Sequence, residues 1–212
     1  MAKILTHPYL QSLLTKLRDK NTKYSVFRDI VRDSGRYMAY EISRELDFKK
    51  VTVETPLGIA EGLVFCSDIV LIMILRASLP LVDGMMEIFK HARVGVISAK
   101  RIEEKKENNT IFNVVIPYER IPDVDGKTVI IADPMLATAT TMIEILKRVK
   151  ERGKPKKLII ATLIASEYGV NRIERLHPDA QIYTLAIDKE LNENGYIIPG
   201  LGDAGDRAFG TS

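Results

Sequence analysis

Five short apolar runs, at residues 69–75, 94–99, 128–132, 158–165 and 182–187, constrain the fold of this chain more than any other feature. They are continuous rather than alternating, which suits strands covered on both faces. Helical segments at 81–91, 141–152 and 168–176 lie between them. Strand–helix alternation of this kind predicts an α/β fold with a mostly parallel central sheet, right-handed crossovers and flanking helices. In such sheets ligands bind beyond the carboxyl ends of the strands. Arg76, Arg101 and Asp133 each follow an apolar run closely and are therefore expected to converge on one rim. A length of 212 residues gives enough chain for one substantial core, and a single domain over 1–212 is expected.

Before the first buried run, 8–20 carries Leu10, Leu13, Leu14 and Leu17 at helical spacing. A longer amphipathic helix over 24–46 follows, with Val26, Phe27, Ile30, Val31, Met38 and Ile42 on one side and Arg28, Arg32, Arg36 and Arg44 on the other. The arginine face is a solvated surface or an effector or subunit contact. Residues 51–54 and 59–65 read as a strand pair around Pro56-Leu57-Gly58. The polar stretch 103–109 separates two strand-like segments and predicts a hairpin tip or flap. Basic residues near 147–152, then Gly153 and Pro155, predict the end of the 141–152 helix.

Several function classes are disfavoured. A net charge of +3 gives no argument for nucleic acid. No window approaches the roughly 20 apolar residues of a membrane span, and the first residues lack a signal-peptide core, so a cytoplasmic location is expected. Cys66 is the sole cysteine, which excludes an internal disulfide and a Cys-rich zinc site. His7, His91 and His177 have no metal-ligand spacing.

Three constellations carry chemistry. In the first, the strand at 128–132 runs into Asp133-Pro134-Met135-Leu136-Ala137-Thr138-Ala139-Thr140-Thr141 and then a helix. Unpaired N–H groups at a helix mouth, small side chains and three threonine hydroxyls suit a phosphate. Asp133 would repel a phosphate and suits hydroxyls or a metal, so the pattern points to a sugar phosphate. No Walker loop is present. In the second, Arg76 follows the strand at 69–75 and precedes Ala77-Ser78, offering a planar cation to an oxyanion. In the third, five glycines between 194 and 210 exclude a regular element and suit a loop whose backbone reads a planar base. Tyr196, Ile197, Ile198 and Phe209 would anchor that loop.

On these residues the chain resembles the uracil phosphoribosyltransferases. Asp133–Thr138 is similar to that family's phosphoribosyl-diphosphate (PRPP) loop, 74–84 to its pyrophosphate loop and 195–210 to its uracil-binding segment. The resemblance implies the type I phosphoribosyltransferase fold, with an N-terminal helical extension, a β-flap and a C-terminal base-binding hood. It implies conversion of uracil and PRPP to UMP and pyrophosphate in pyrimidine salvage, with Mg²⁺ as cofactor. Asp133 would hold the ribose hydroxyls, and Ala137, Thr138, Ala139, Thr140 and Thr141 the 5′-phosphate. Arg76 and Arg101 would bind pyrophosphate oxygens. Ile197, Gly202, Asp203 and Ala204 would read uracil, with Tyr196 beside the base, and Asp203 would also help place PRPP and its metal. The family is generally dimeric or larger, so a homodimer or homotetramer is implied; some members respond to GTP, so a GTP effector is among the implied partners. Neither a membrane nor a nucleic acid is.

Two departures from the family pattern stand out. Ala139-Thr140-Thr141 occupies positions where glycines are usual, which predicts a locally altered turn, and Ser78 and Pro80 also replace glycines. A purine or orotate phosphoribosyltransferase is disfavoured by the single acidic residue before Pro134 and by the C-terminal loop. A non-catalytic RNA-binding regulator on the same fold is disfavoured by the charge balance and by the presence of Arg76, Arg101 and Asp203.

Overall fold

The computed structural model of the chain describes residues 2–106 and 109–211, the side chains of 101–112 excepted. A short strand β1 (Lys3–Ile4) leads into helices α1 (Pro8–Arg18) and α2 (Tyr24–Ser43). Leu10, Leu13, Leu14 and Leu17 of α1 and Phe27, Ile30, Val31, Met38 and Ile42 of α2 are buried, as their helical spacing predicts, whereas Val26, in the first turn of α2, is exposed. An antiparallel ribbon follows, β2 (Phe48–Thr55) and β3 (Gly58–Phe65). It pairs with no other strand among the described residues.

The main body then alternates: β4 (Ile69–Leu75), α3 (Leu79–Ile88), β5 (Arg93–Lys106), β6 (Asn109–Arg120) and β7 (Thr128–Ala132). It continues with β8 (Met135–Leu136), α4 (Thr140–Glu151), β9 (Lys157–Ala161), β10 (Ile164–Ser166) and α5 (Glu167–Leu176). The chain closes with β11 (Ala180–Thr184), β12 (Ala186–Asp188), β13 (Glu190–Leu191), β14 (Ile197–Ile198) and α6 (Ala204–Phe209). The main sheet has the order β1-β11-β9-β7-β4-β5-β6, parallel except for β6, which is antiparallel to β5. Its strands alternate between two cores. Leu71, Ile130, Ala132 and Ile159 face α1, α2, α3 and α6, whereas Val70, Ile72, Val129, Ile131 and Ile160 face α4 and α5. Both faces are covered, which explains why these runs are uniformly apolar.

Two expected strands divide. The run 158–165 forms β9 and β10, and 182–187 forms β11 and most of β12, with β8, β10 and β12 making a second, smaller parallel sheet. Three neighbouring strands thus break together, after Ala132, Ala161 and Thr184, and resume in a new layer. The break is fully bonded: Leu163 N donates to Pro134 O at 3.0 Å and Leu185 N to Leu163 O at 3.2 Å. The hydroxyls of Thr162 and Thr184 donate to Ile164 O and Ala186 O, each two residues onward, at 3.0 and 2.9 Å. An apolar run cannot report such a break, because both layers are buried.

Helices α2 and α3 approach unusually closely. A Cβ at Gly35 would meet the Leu81 backbone, and one at Gly84 would meet Arg32 O, so glycine at both positions lets the helices touch through their main chains. The strand β5 extends beyond the expected 94–99 and shifts register between Ser98 and Lys100, after which it pairs with β6 alone. The polar stretch is therefore a hairpin extension, as predicted, with 107 and 108 outside the described residues. The C-terminal segment is not irregular throughout: Ala204–Phe209 is a helix, because Asp203 caps it and Gly205 lies inside it without breaking it.

Candidate active site

At the carboxyl end of β4 and β7 lies a cavity of about 280 Å³. One wall is Asp133 and residues 135–142, the other Gly195, Tyr196, Ile197 and Asp203; Ile74, Leu75, Ala77 and Ala99 complete it. Segments some sixty residues apart in sequence thus face one space. The first turn of α4 opens at the cavity, and helix geometry leaves its N–H groups without intrahelical acceptors.

The turn before α4 is left-handed. Ala139 has φ 61° and ψ 2°, and no other non-glycine residue among those described has positive φ. Alanine here takes the left-handed conformation that glycine would adopt freely, while Thr140 starts the helix. At the second departure from glycine, the Ser78 hydroxyl accepts from Ile74 N at 2.6 Å and donates to Ile74 O at 2.7 Å, fixing the turn between β4 and α3. Pro80 sits in the first turn of α3, where its missing N–H costs nothing. The Leu75–Arg76 peptide in this turn is cis.

Asp133 accepts from Met135 N at 3.3 Å on the cavity floor. Burial pushes its carboxyl up, the Met135 N–H opposes this, and the charge of Asp203 raises it again, to about 7. Asp203 caps α6 by accepting from Asp206 N at 2.9 Å. The two carboxylates therefore share a cavity and repel each other.

The remaining expected site residues are placed less directly. Arg76 does not line the cavity: its guanidinium donates to Asp206 Oδ1 at 3.0 Å and Thr211 Oγ1 at 3.2 Å and lies 5.8 Å from the Phe209 ring. Arg101 lies inside β5, past its register shift, rather than at a strand end, and its side chain falls outside the described residues. Pro134 is buried at the strand break and Ala204 is buried in α6, while Gly202 is exposed at the loop surface beside Arg207.

A model of the uracil phosphoribosyltransferase family matches residues 4–211. The chain belongs to that family. It is 46% identical over 206 residues to a uracil phosphoribosyltransferase of Thermococcus gammatolerans, covering 96% of this chain and 90% of the relative. It is 45% identical over 212 residues to one of Pyrobaculum arsenaticum, covering 99% of each. The AQ2163 protein of Aquifex aeolicus has a similar structure, with a TM-score of 0.91, 32% identity and coverage of 100% of this chain and 99% of that one. A hypoxanthine phosphoribosyltransferase of Staphylococcus aureus, at TM-score 0.52 and 15% identity over 76% of this chain and 74% of that one, shares the fold alone. The type I phosphoribosyltransferase fold expected from sequence is thus present.

Within this family fold, two sets of supporting residues escaped the sequence reading. Behind the 133–141 cradle, one face of α5 presents Ser166, Gly169 and Arg172 at helical spacing. Ser166 Oγ donates to Ala137 O at 2.6 Å and Arg172 Nη1 to Thr138 O at 2.6 Å, while a side chain at Gly169 would strike the carbonyls of Leu136 and Ala137. Behind the 196–203 loop, Asp188 takes a bidentate fork from Arg18, both bonds 2.8 Å, and accepts from Gly200 N at 2.9 Å. Burial raises the Asp188 carboxyl, but Arg18 and the Gly200 N–H outweigh it and hold the group below the usual carboxylate range. Arg207 donates to Leu17 O, to Leu201 O at 2.7 Å and to Asp19 O at 2.6 Å, and stacks 4.3 Å from the Phe27 ring. A three-residue periodicity of small or basic residues from 166 would have been the only sequence signal for the first set. None existed for the second, whose members are about 170 residues apart.

Proposed function

We propose that the chain, acting as one unit over 1–212, transfers the 5-phosphoribosyl group of PRPP to N1 of uracil, giving UMP and pyrophosphate in pyrimidine salvage. The observation that carries this reading is the single cavity between the 133–141 cradle and the 195–203 loop. The N–H groups opening α4 and the hydroxyls of Thr138, Thr140 and Thr141 hold the 5′-phosphate. Asp133 accepts from the ribose hydroxyls, and Pro134 fixes the strand break that aims it. Holding C1 of the ribose against N1 of the base is worth up to about 7–11 kcal/mol in favourable cases. As the new N–C bond forms, the bond from C1 to pyrophosphate breaks, and the N1 proton goes to the released pyrophosphate or to water.

Arg76 leaves its exposed partners, Asp206 and Thr211, to meet the negative charge developing on pyrophosphate; Arg101 approaches the same oxygens from the β5–β6 hairpin. Uracil is read at Ile197 and at the Gly202-Asp203-Ala204 backbone, with Tyr196 beside the ring. Fixed N–H and C=O groups there reject cytosine, whose donor and acceptor edge is reversed and would leave buried groups unpaired.

Asp133 and Asp203 also fit Mg²⁺. Their mutual repulsion in one cavity is what a divalent cation relieves, and two carboxylates are too few for a protein cage but suit an ion that keeps water and substrate oxygens as ligands. When bound there, Mg²⁺ neutralises pyrophosphate charge.

The finer proposals are a cytoplasmic homodimer or homotetramer and a GTP effector. Among the described residues no helix is long and apolar enough to cross a membrane. One face of the ribbon β2–β3 exposes Phe48, Ile59 and Leu63, and its turn exposes Leu57, apolar side chains suited to a second copy. On the arginine face, Arg36 already pairs with Glu87 at 2.5 Å, Arg32 with Asp29 at 3.1 Å and Arg44 with Glu41 at 2.9 Å, so an effector phosphate must displace carboxylates there.

UMP formation from labelled uracil and PRPP, with hypoxanthine and orotate as controls, tests the reading. Turnover of a control base in preference to uracil overturns it. Omission of Mg²⁺, titration with GTP and light scattering test the finer parts.

A further inference from the structure

We propose that Arg172, which no sequence motif singles out, is the positioning residue that keeps the strained phosphate turn in its binding shape. This rests on the reading of 133–141 as a phosphate cradle. Ala139 sits at the centre of that turn with φ 61°, and its side chain is buried at 4% exposure. For an L-residue this conformation crowds Cβ against a carbonyl, and it persists only where the surroundings over-determine it.

The surroundings here are the two flanking residues, and one guanidinium takes both. Arg172 Nη1 donates to Thr138 O at 2.6 Å and to Thr140 Oγ1 at 3.1 Å. The two threonine hydroxyls also approach each other to 3.2 Å. Relaxing Ala139 to negative φ would carry Thr138 O and Thr140 Oγ1 in different directions and break the shared anchor. On the preceding side, Ala137 O is tied down by Ser166 Oγ, so the relaxation cannot be passed back along the chain.

Arg172 is not among the residues that line the cavity, so it acts through the turn rather than on the ligand. Its ring neighbour Tyr168, 5.7 Å away on the same helix, limits how far the guanidinium can swing. Thr140 supplies an acceptor that glycine would lack. Alanine strain and the Thr140–Arg172 bond therefore form one device: the bond does for Ala139 what glycine's freedom does unaided.

A double-mutant cycle on Arg172→Ala and Ala139→Gly tests this, using steady-state kinetics and calorimetric PRPP binding. Arg172→Ala should raise KM for PRPP and weaken PRPP binding about tenfold, the scale of losing a hydrogen bond from a charged group. KM for uracil should stay within about twofold on the same argument, since the base wall is untouched. Arg172→Lys, which keeps the charge but lacks the planar fork and the reach of the guanidinium, should fall between. In the Ala139→Gly background the Arg172→Ala penalty should shrink to about threefold or less, because glycine holds positive φ by itself. Equal penalties in both backgrounds, parallel rises in both KM values, or unchanged PRPP binding would overturn the clamp. A chain with its natural residues that binds no PRPP would instead overturn the cradle reading, and the clamp with it.

Discussion

The cradle at 133–141 and the loop at 196–203 face each other across one cavity, yet they are supported by different physics. The cradle is braced from the start of a helix 29 to 34 residues further on, through bonds to backbone carbonyls, and it stores two kinds of strain: a left-handed alanine and a carboxyl pushed up to about 7. The loop is braced from a distant part of the chain by a part-buried ion pair, and its anchoring carboxylate is held below the usual range. In the proposed reading the open N–H groups of α4 meet the anionic oxygens, while Asp133, raised by burial and by Asp203, is compensated by hydroxyls or a cation rather than by phosphate. A wall that must discriminate between two bases needs its donors and acceptors fixed beforehand, which an Arg18–Asp188 fork provides.

Asp188→Ala attacks the contrast most strongly. Arg18, part-buried, would lose its carboxylate partner and keep only Gly200 O, and denaturant unfolding should show a loss of about 2 kcal/mol. KM for uracil should rise while KM for PRPP stays nearly constant; a matched rise in both would show that the walls are not independently braced. Next in size, Arg76→Ala should lower kcat about a hundredfold or more. Its exposed bond to Asp206 is worth less than about 1 kcal/mol to stability, so the melting temperature should barely change. Near-normal turnover would remove Arg76 from the pyrophosphate role.

The third effect reverses sign between the walls. The folded-state value of Asp133, about 7, exceeds the ordinary 3.8, so the folded chain holds a proton that the unfolded chain releases. Stability from this group therefore falls as pH rises from about 4 to about 7. Asp188 behaves oppositely: its contribution is complete above the ordinary carboxylate value and is lost as pH falls through its depressed one. Asp133→Asn should raise stability at pH 8 by about 2 kcal/mol, a discounted share of the pKa displacement, and by almost nothing at pH 4. It should also abolish activity. Unfolding curves across that range that match the unsubstituted chain would contradict the Asp133 assignment. Smallest of all, Ala139→Gly should stabilise the free protein by no more than about 1 kcal/mol, because relief of the left-handed strain is offset by unfolded-state entropy.

What could be read from the sequence follows the same division. The sheet was legible because β4 and β7 are apolar on both faces, and the cradle because phosphate sites need small residues at a helix mouth. The break that turns β9 into β10 and β11 into β12 was not, since burial continues through it and only Thr162 and Thr184 mark the bend. Helix α6 was hidden behind glycines that the fold uses for close packing. The braces were illegible for a simpler reason: Arg18 and Asp188 become neighbours only once the whole sheet exists. Arg76 was correctly placed beside a strand end, but its present partner, Asp206, lies 130 residues away.

The tie between α1 and the last part of the chain has a consequence for the order of assembly. Arg18 reaches Asp188 and Gly200 across 170 and 182 residues, and Arg207 reaches back 190 residues to Leu17. Contacts this distant bear the largest loop-closure cost and reward the chain only after the intervening layers have formed. The 133–141 cradle, braced from residues 166–172, can therefore take shape before the 196–203 loop, whose braces join residues 17–19 to residues 188–207.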